Sequence, residues 1–380
     1  MPAGKAGAAR AYGSPSRYIQ GPGEFNNLPV FASNYGDTAL AIIDTFFYHS
    51  MKDRIVDLFA KEGMKAYAVE FNGKCSHATL KELIDFTQAL PNIPHTFIGI
   101  GGGQACDINK AVGAHFRKAF INVPTALSSD APTSTHSIIN NDGALFDRIV
   151  HYKNPDYVVV DTEITIQAPL FMFSSGIGDA LATYIEAEAS FANNNVCNAG
   201  GGTYRPTQLG MAAAKLSFEI LMEKGRAAVQ AAKSKVCNTD YEDVAEATIL
   251  LSGLGFECTG VSIAHGLQAG FYAMSDAKPL MHGAGVGYGA LVQLILQKDS
   301  RFPEVFCFCK DTGIPVCTAD LGLTPENRDT NIRLLIDEVY DNRWNIHNVP
   351  FAVTKDMLTD AIRALDDYAA SQVSGRTRNS

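Results

Sequence analysis

Three side chains far apart in the chain have the types that hold a divalent metal ion. They are Asp179 in SGIGDALATY, His265 in SIAHGLQAG and His282 in PLMHGAGVGYG. The histidines are 17 positions apart (282 − 265), too far for one helix face. They can face each other if one helix ends near Ala273 and another begins near His282. Asp179 also has a plainer reading. Gly176 and Gly178 look like a tight turn, and an Asp opening the helix after it accepts the orphan N–H groups of the first turn. A lone buried His is likewise often a hydrogen-bonded core residue. Residue types alone leave both readings open.

A second constellation is GIGGGQACD (99–107), which follows an apolar strand and opens a helix. Three successive glycines let the backbone approach a pyrophosphate, whose charge meets the N–H groups and dipole of the helix start. Gln104 occupies the last slot of the Gly-x-Gly-x-x-Gly pattern, and a tight strand-to-helix turn would use the same glycines. An acid at a strand end selects NAD by bonding the adenosine ribose. Asp44, closing TALAIID, and Glu70, closing AYAVE, are both candidates, and both precede the glycine turn.

The elements that must position these groups fall into two halves. TALAII (38–43), AYAVEF (66–71), HTFIGIGGG (95–103), AFINVPT (119–125) and YVVVDT (157–162) read as buried parallel strands. Stretches 51–62 and 78–90 have the spacing of crossover helices. THSIIN and DRIVHY flank NDGALF, which predicts a β-hairpin with its turn near Asn141–Gly143. From about residue 166 helical patterns take over, at 178–191, 205–232, 242–272, 284–298, 326–341 and 355–371. Thr324-Pro325 and Thr354 are starts for the last two. The expected architecture is an α/β dinucleotide-binding domain over 18–165, a parallel sheet with a hairpin insertion, followed by an all-α domain over 166–380.

Bulk composition narrows the function. The 380 residues are 46% hydrophobic and 19% charged, ordinary for a soluble globular protein. A net charge of −9 argues against nucleic-acid and anionic-membrane partners, which need basic surface. No apolar run approaches the roughly 20 residues of a membrane span. The eight cysteines are scattered, without Cys-x-x-Cys. Their one cluster, Cys307, Cys309 and Cys317, reads as small core residues on a helix and its exit. Residues 1–17 carry Lys5, Arg10 and Arg17 and no acid, a composition shared with mitochondrial transit peptides. They lack an amphipathic stripe, so the expectation is a disordered tail on a cytoplasmic protein.

GGGQACD, PTALSSDAPTS (124–134), GIGDALATY (176–184), IAHGLQAG, HGAGVGYG and IHNVP (346–350) occur in this order between about Tyr18 and Gln372. Together they resemble the glycerol dehydrogenases of the metal-dependent, iron-containing-type alcohol dehydrogenase superfamily. The resemblance implies that Asp179, His265 and His282 bind zinc in the cleft between the domains, a donor set that could also hold iron. It places Asp44, Gly101, Gly102, Gly103, Gln104, Asp107, Thr125, Ser128, Ser134 and His136 around NAD, and gives Asp130 a hydroxyl of the polyol to hold. The implied reaction is reversible oxidation of glycerol, or another 1,2-diol, to a ketone such as dihydroxyacetone, by hydride transfer from an alkoxide that the cation stabilises. A homo-oligomer, an octamer by the resemblance, is also implied.

Four residues depart from the family's usual pattern. Gln104-Ala105 stand where Lys-Thr is common, Asn140 where a cofactor-contacting Tyr is usual, and Ala284 where a Glu is usual. These put the cation near the pyrophosphate, the nicotinamide-side contacts and the surroundings of the metal in question. Two alternatives remain at this point: another secondary alcohol or a polyol phosphate on the same fold, and a non-catalytic dinucleotide-binding homologue.

Overall fold

The computed structural model describes residues 9–140, 146–342 and 344–374 of the chain. Six strands form one wholly parallel sheet: β1 (Arg17–Gly21), β2 (Thr38–Asp44), β3 (Lys65–Phe71), β4 (Thr96–Gly101), β5 (Ala119–Pro124) and β8 (Tyr157–Asp161), in the spatial order β1-β8-β5-β4-β2-β3. Interior strands such as AFINVP are buried at every residue, as a sheet covered on both faces requires. The hairpin β6 (His136–Asn140) and β7 (Phe146–Val150) stands apart as an antiparallel pair. The turn expected near Asn141–Gly143 lies outside the described residues. Strand β1 has no counterpart in the sequence reading, because RYIQG is a half-exposed edge without an apolar run.

Chain order and spatial order together fix where a ligand can sit. From β2 the chain passes through α2 (Thr45–Lys61) outward to β3. It then returns through α3 (His77–Gln88) past β2 to β4, and continues through α4 (Gly103–His115) to β5. Right-handed crossovers therefore put α2 on one face, and α3 and α4 on the other. The two buried clusters agree: Met51, Ile55 and Phe59 pack on one side, Leu83, Ile108 and Val112 on the other. The direction reverses between β2 and β4, so the crevice at their carboxyl ends, Asp44 beside Gly101, is the topological switch point where such sheets bind ligands.

Beyond the short α1 (Leu28–Ser33) and α5 (Thr162–Thr165), the remaining helices form the second half. They are α6 (Leu170–Ala192), α7 (Gln208–Ser234), α8 (Thr239–Glu246), α9 (Ser252–Thr259), α10 (Ile263–Gly270), α11 (His282–Gln297), α12 (Phe302–Thr312), α13 (Arg328–Asn342) and α14 (Lys355–Ser374). Their large core reaches Val158 and Val160 of β8, which joins the halves along that edge of the sheet. Among the described residues no single helix is long and apolar enough to cross a membrane.

Three expectations need correction. Residues 9–17 are not a disordered tail. Ala11 N–H donates to Arg205 O (3.2 Å), Arg205 N–H donates to Ala9 O (2.9 Å), and Gly13 N–H meets the buried Cys258 thiol (3.4 Å). Residues 1–8 lie outside the described part. The helical run 242–272 is not continuous: Gly260, at φ 113°, breaks it, and the pieces on either side are bent by 100°. And SGIGD is not a turn, since Gly176, Gly178 and Asp179 all lie inside the 23-residue α6.

Candidate metal and cofactor site

Glycines in α6 and α11 do packing work rather than turning the chain. A Cβ on Gly178 would lie 2.4 Å from Gly283 O, and one on Gly283 would lie 2.0 Å from Ser175 O. Only hydrogen at these positions lets the two helix backbones touch. The contact brings Asp179, in the third turn of α6, next to His282, the first residue of α11. Gly289 does the same between α11 and α10, because a Cβ there would meet Ala264 O at 2.6 Å. Residue 265 follows directly. Three helices thus close on one point, each through a bare backbone.

At that point Asp179 Oδ1 lies 3.6 Å from His265 Nε2 and 3.4 Å from His282 Nε2. One donor atom from each of the three residues lies within 4.8 Å of the others, the single such trio among the described residues. A tetrahedral ion with bonds of about 2.1 Å holds its ligands about 3.4 Å apart. The Asp179 separations match that edge length. Oδ1 is also buried with no hydrogen-bond partner among the described residues, a costly state for a carboxylate oxygen unless a cation meets it. Oδ2 accepts from Asp130 N–H at 3.3 Å. Burial would raise the Asp179 pKa, but His282 and His265 outweigh it and hold the carboxyl below its usual range. Asp179 is therefore no cap; it is a buried anion facing two imidazoles. His282 is the ligand candidate open to solvent, with 46% of its side chain exposed.

Asp130 sits beside this trio. Ser252 Oγ donates to its Oδ2 at 2.7 Å, directly after a π-helical turn (Ala247–Leu251) that joins α8 to α9. Burial and the neighbouring Asp179 charge push Asp130 up to about 7. Ser175 Oγ donates to Ser128 O (3.0 Å) and accepts from Gly283 N–H (3.1 Å), stitching the 124–134 loop to both glycine-packed helices.

The cofactor candidates gather only in part. Asp44 ends β2 and caps α2, accepting from Phe46 N–H at 3.0 Å. It packs so closely on the glycine turn that a Cβ on Gly101 would come within 2.8 Å of Asp44 Cβ. Thr125 N–H donates to Gly101 O at 3.0 Å, adding the end of β5. Gly102 has open space where a Cβ would point, and no side chain caps α4, so the helix start is free to receive an anion. Gly103 faces Ser129 Oγ. Glu70 lies one strand further out and accepts from Thr45 Oγ1, so of the two acids Asp44 is the one beside the turn.

Other candidates are engaged elsewhere. Gln104 Oε1 accepts from Cys75 N–H at 3.1 Å. Asp107 is buried between Lys110 Nζ (2.8 Å) and the Ile138 N–H (3.0 Å), tying α4 to the hairpin. Ser134 Oγ accepts from His136 N–H at 3.4 Å. His136 has both ring nitrogens buried and without a hydrogen-bond partner among the described residues, and burial, with the Arg148 charge behind it, lowers it to about 3. It is neutral at physiological pH. All eight cysteines are free; Cys309 is buried on α12, Cys307 is exposed and Cys317 half-buried.

Two residues at the site escaped the sequence reading. Glu186, fully buried on α6, places Oε2 2.5 Å from His265 Nδ1. It lies seven residues after Asp179, hence on the same helix face, and that spacing was its only signal. Phe256 lies between the two regions: its ring stacks on His265 (6.0 Å) and meets His136 edge-on (5.7 Å). A cavity of about 610 Å3 lined by Lys310, Asp320, Arg328 and Asp366 lies apart and includes none of the candidate ligands.

A family model described as iron-containing alcohol dehydrogenase matches residues 15–162. The glycerol dehydrogenase of Citrobacter freundii is 33% identical over 356 residues, covering 93% of this chain and 96% of that protein. The glycolaldehyde reductase of Halobacterium salinarum is 34% identical over 358 residues, covering 93% and 96%. The crystal structure of glycerol dehydrogenase from Schizosaccharomyces pombe superposes with a TM-score of 0.90 at 28% identity, covering 97% of this chain and 94% of that one.

Proposed function

The chain belongs to the iron-containing alcohol dehydrogenase family, and from that premise we propose that it is an NAD-linked, divalent-metal-dependent polyol dehydrogenase. Its reaction is the reversible oxidation of glycerol to dihydroxyacetone, with other 1,2-diols as further substrates and Zn2+ the favoured ion over Fe2+. One observation carries this reading: Asp179 Oδ1 is buried, has no hydrogen-bond partner among the described residues, and faces the Nε2 atoms of His265 and His282 at 3.6 and 3.4 Å.

A divalent ion held by these three side chains supplies Lewis acidity, which makes a substrate hydroxyl far easier to deprotonate. The chain's own residues do the rest. Asp130 has one carboxylate oxygen held by Ser252, which leaves the other to accept a second hydroxyl of the polyol and set which carbon faces the cofactor. Asp44 accepts from the adenosine ribose, and its charge disfavours a 2′-phosphate there. The start of α4 receives the pyrophosphate at Gly102. The loop from Thr125 to Asp130 runs from the glycine turn to the metal ligands, and Ser128 lies along it to hold the nicotinamide half.

The glycolaldehyde reductase among the relatives directs attention to the reductive direction on small hydroxy-carbonyl compounds, which share the vicinal oxygen pair of glycerol. A polyol phosphate is disfavoured. The loop that approaches the metal ligands, PTALSSDAPTSTH (124–136), has no Lys or Arg to meet a phosphate, and its His136 is held neutral by burial.

The test is NADH formation from glycerol and NAD+ before chelation, after chelation and after readdition of Zn2+ or Fe2+, together with a panel of diols, hydroxyaldehydes and polyol phosphates. Asp179→Asn is expected to lose the ion and the rate. The proposal fails if metal-loaded protein turns over no member of the panel in either direction, or if Asp179→Asn keeps both ion and rate.

A further inference from the structure

We infer that Glu186 is the positioning residue that decides which nitrogen of His265 faces the metal, and so sets how tightly the ion is held. The inference rests on the metal reading above. The carboxylate is fully buried in α6, and among the described residues no Lys or Arg pairs with it. Its partners all belong to the segment that carries His265. Oε1 accepts from Ser262 N–H at 2.7 Å and from His265 N–H at 3.0 Å, while Oε2 lies 2.5 Å from His265 Nδ1.

The two backbone bonds have a local cause. α10 begins at Ile263, and its N-cap residue Ser262 makes no capping bond of its own. The Ser262 hydroxyl donates instead to Gln293 Oε1 at 2.9 Å, and the same oxygen accepts from Ala264 N–H at 3.2 Å. The orphan donors of the first turn are therefore met from other helices, by Gln293 on α11 and Glu186 on α6. A negative charge there also suits the helix dipole.

The third bond reaches the ring. A carboxylate only accepts, so Nδ1 carries a proton whether the ring is neutral or charged, and Nε2, 3.6 Å from Asp179 Oδ1, is the nitrogen left to meet the ion. A ring in the other tautomer would present N–H at Nε2 and could not ligate. Glu186 thus fixes the backbone of His265 and the identity of its ligating nitrogen together. Such outer partners of a ligating histidine are typically worth about 10–100-fold in metal affinity.

Glu186→Gln separates the ring effect from the helix effect. The amide keeps an oxygen for the two backbone donors, but its NH2 faces Nδ1 and takes the lone pair, driving the proton to Nε2. The expected result is Zn2+ affinity about 10–100-fold weaker by chelator competition, a changed ligand-field absorption of the Co2+-loaded protein, and little change in the urea midpoint of the metal-free protein. Glu186→Asp, which keeps the charge, should recover part of the affinity. Unchanged Zn2+ affinity and an unchanged Co2+ spectrum in Glu186→Gln would reduce Glu186 to a helix cap. If that variant does not fold, 15N-histidine NMR of the unaltered Zn2+-loaded protein decides: Nδ1–H with Nε2 as the metal-bound nitrogen at His265 supports the inference, and Nε2–H with Nδ1 metal-bound overturns it. Failure of the unaltered protein to bind any stoichiometric ion refutes the metal reading itself, a different outcome from equal binding by both proteins.

Discussion

Replacing Gly283 by alanine puts a carbon 2.0 Å from Ser175 O and 2.8 Å from Asp179 Cβ. Ordinary contact begins at 3.4 Å, so the shortfall at Ser175 is 3.4 − 2.0 = 1.4 Å. Both offending atoms belong to regular helix α6, one of them backbone, so no side-chain rotation relieves the clash. α11 must move as a body, and it carries His282 at its first residue. Overpacking of this kind costs about 1–3 kcal/mol of stability. The larger effect falls on the metal. Coordination distances tolerate about 0.2 Å, several times less than the displacement, so His282 leaves the site and Zn2+ affinity falls at least about 100-fold. Chelator competition on the refolded variant reads the affinity, and urea unfolding reads the stability. Gly102→Ala is the internal control, since nothing lies within 4 Å of a Cβ there. A Gly283→Ala protein with unaltered unfolding and Zn2+ affinity within twofold would show that close backbone approach does not hold the ligands together.

Gly102→Ala makes its own prediction: with φ at −75° and open space around it, stability holds or rises by about 0.4–1 kcal/mol. The Michaelis constant for NAD+ should nonetheless rise several-fold, because the methyl occupies the space proposed for the pyrophosphate; an unchanged constant would remove the phosphate from this turn. Acid should weaken the fold through its buried rings. His151 is held down to about 3 by burial and by the Lys110 charge, against about 6.5 when unfolded. Below pH 6.5 the unfolded chain binds a proton the fold refuses, so this contribution is intact above 6.5 and is lost towards pH 3, by up to about 1.4 kcal/mol per pH unit. Urea unfolding at pH 7 and pH 5 should therefore show His151→Gln losing less stability than the unaltered protein, and an equal loss would refute the assignment.

Legibility followed the kind of signal each residue leaves. Continuous apolar runs such as TALAIID and AFINVP mark strands buried on both faces, and those strands are where the sheet lies. β1 left no such trace because it is a half-exposed edge. The three candidate ligands come together as a set only through the family resemblance, and the turn expected before Asp179 is not the reason they meet. Two glycines before an acid look like a turn, yet Gly178 and Gly283 serve contact between helices far apart in sequence, which no local pattern reports. Glu186 leaves no signal beyond its seven-residue spacing from Asp179, for a related reason: a glutamate in YIEAEA is an ordinary helix residue until α10 is packed against it. Asp107 and His136 illustrate the converse. Both read as cofactor residues, and the fold gives Asp107 to Lys110 and the hairpin, and leaves His136 neutral inside the protein.

Gln104 tests how far a departure from the family's habit matters. It stands at the second residue of α4, beside the proposed pyrophosphate, and its amide oxygen accepts from Cys75 N–H. Asn140, another departure, meets the same residue from the opposite side, through its backbone N–H to Cys75 O at 2.7 Å. That bond is blind to the side chain, whereas the Gln104 bond is not. Gln104→Lys therefore exchanges an anchor of the β3–α3 connection for a charge. Losing a hydrogen bond costs about 0.5–1.5 kcal/mol, at the lower end here because Gln104 is exposed. An ammonium at a helix start facing a phosphate strengthens dinucleotide binding, and salt screens the gain within about 10 Å at 0.1 M. The expected variant binds NAD+ several-fold more tightly at low salt, loses that advantage near 0.5 M, and unfolds at slightly lower urea. Equal NAD+ affinity at low salt would mean that the pyrophosphate does not sit at the start of α4, and the role given to the three glycines would fall with it.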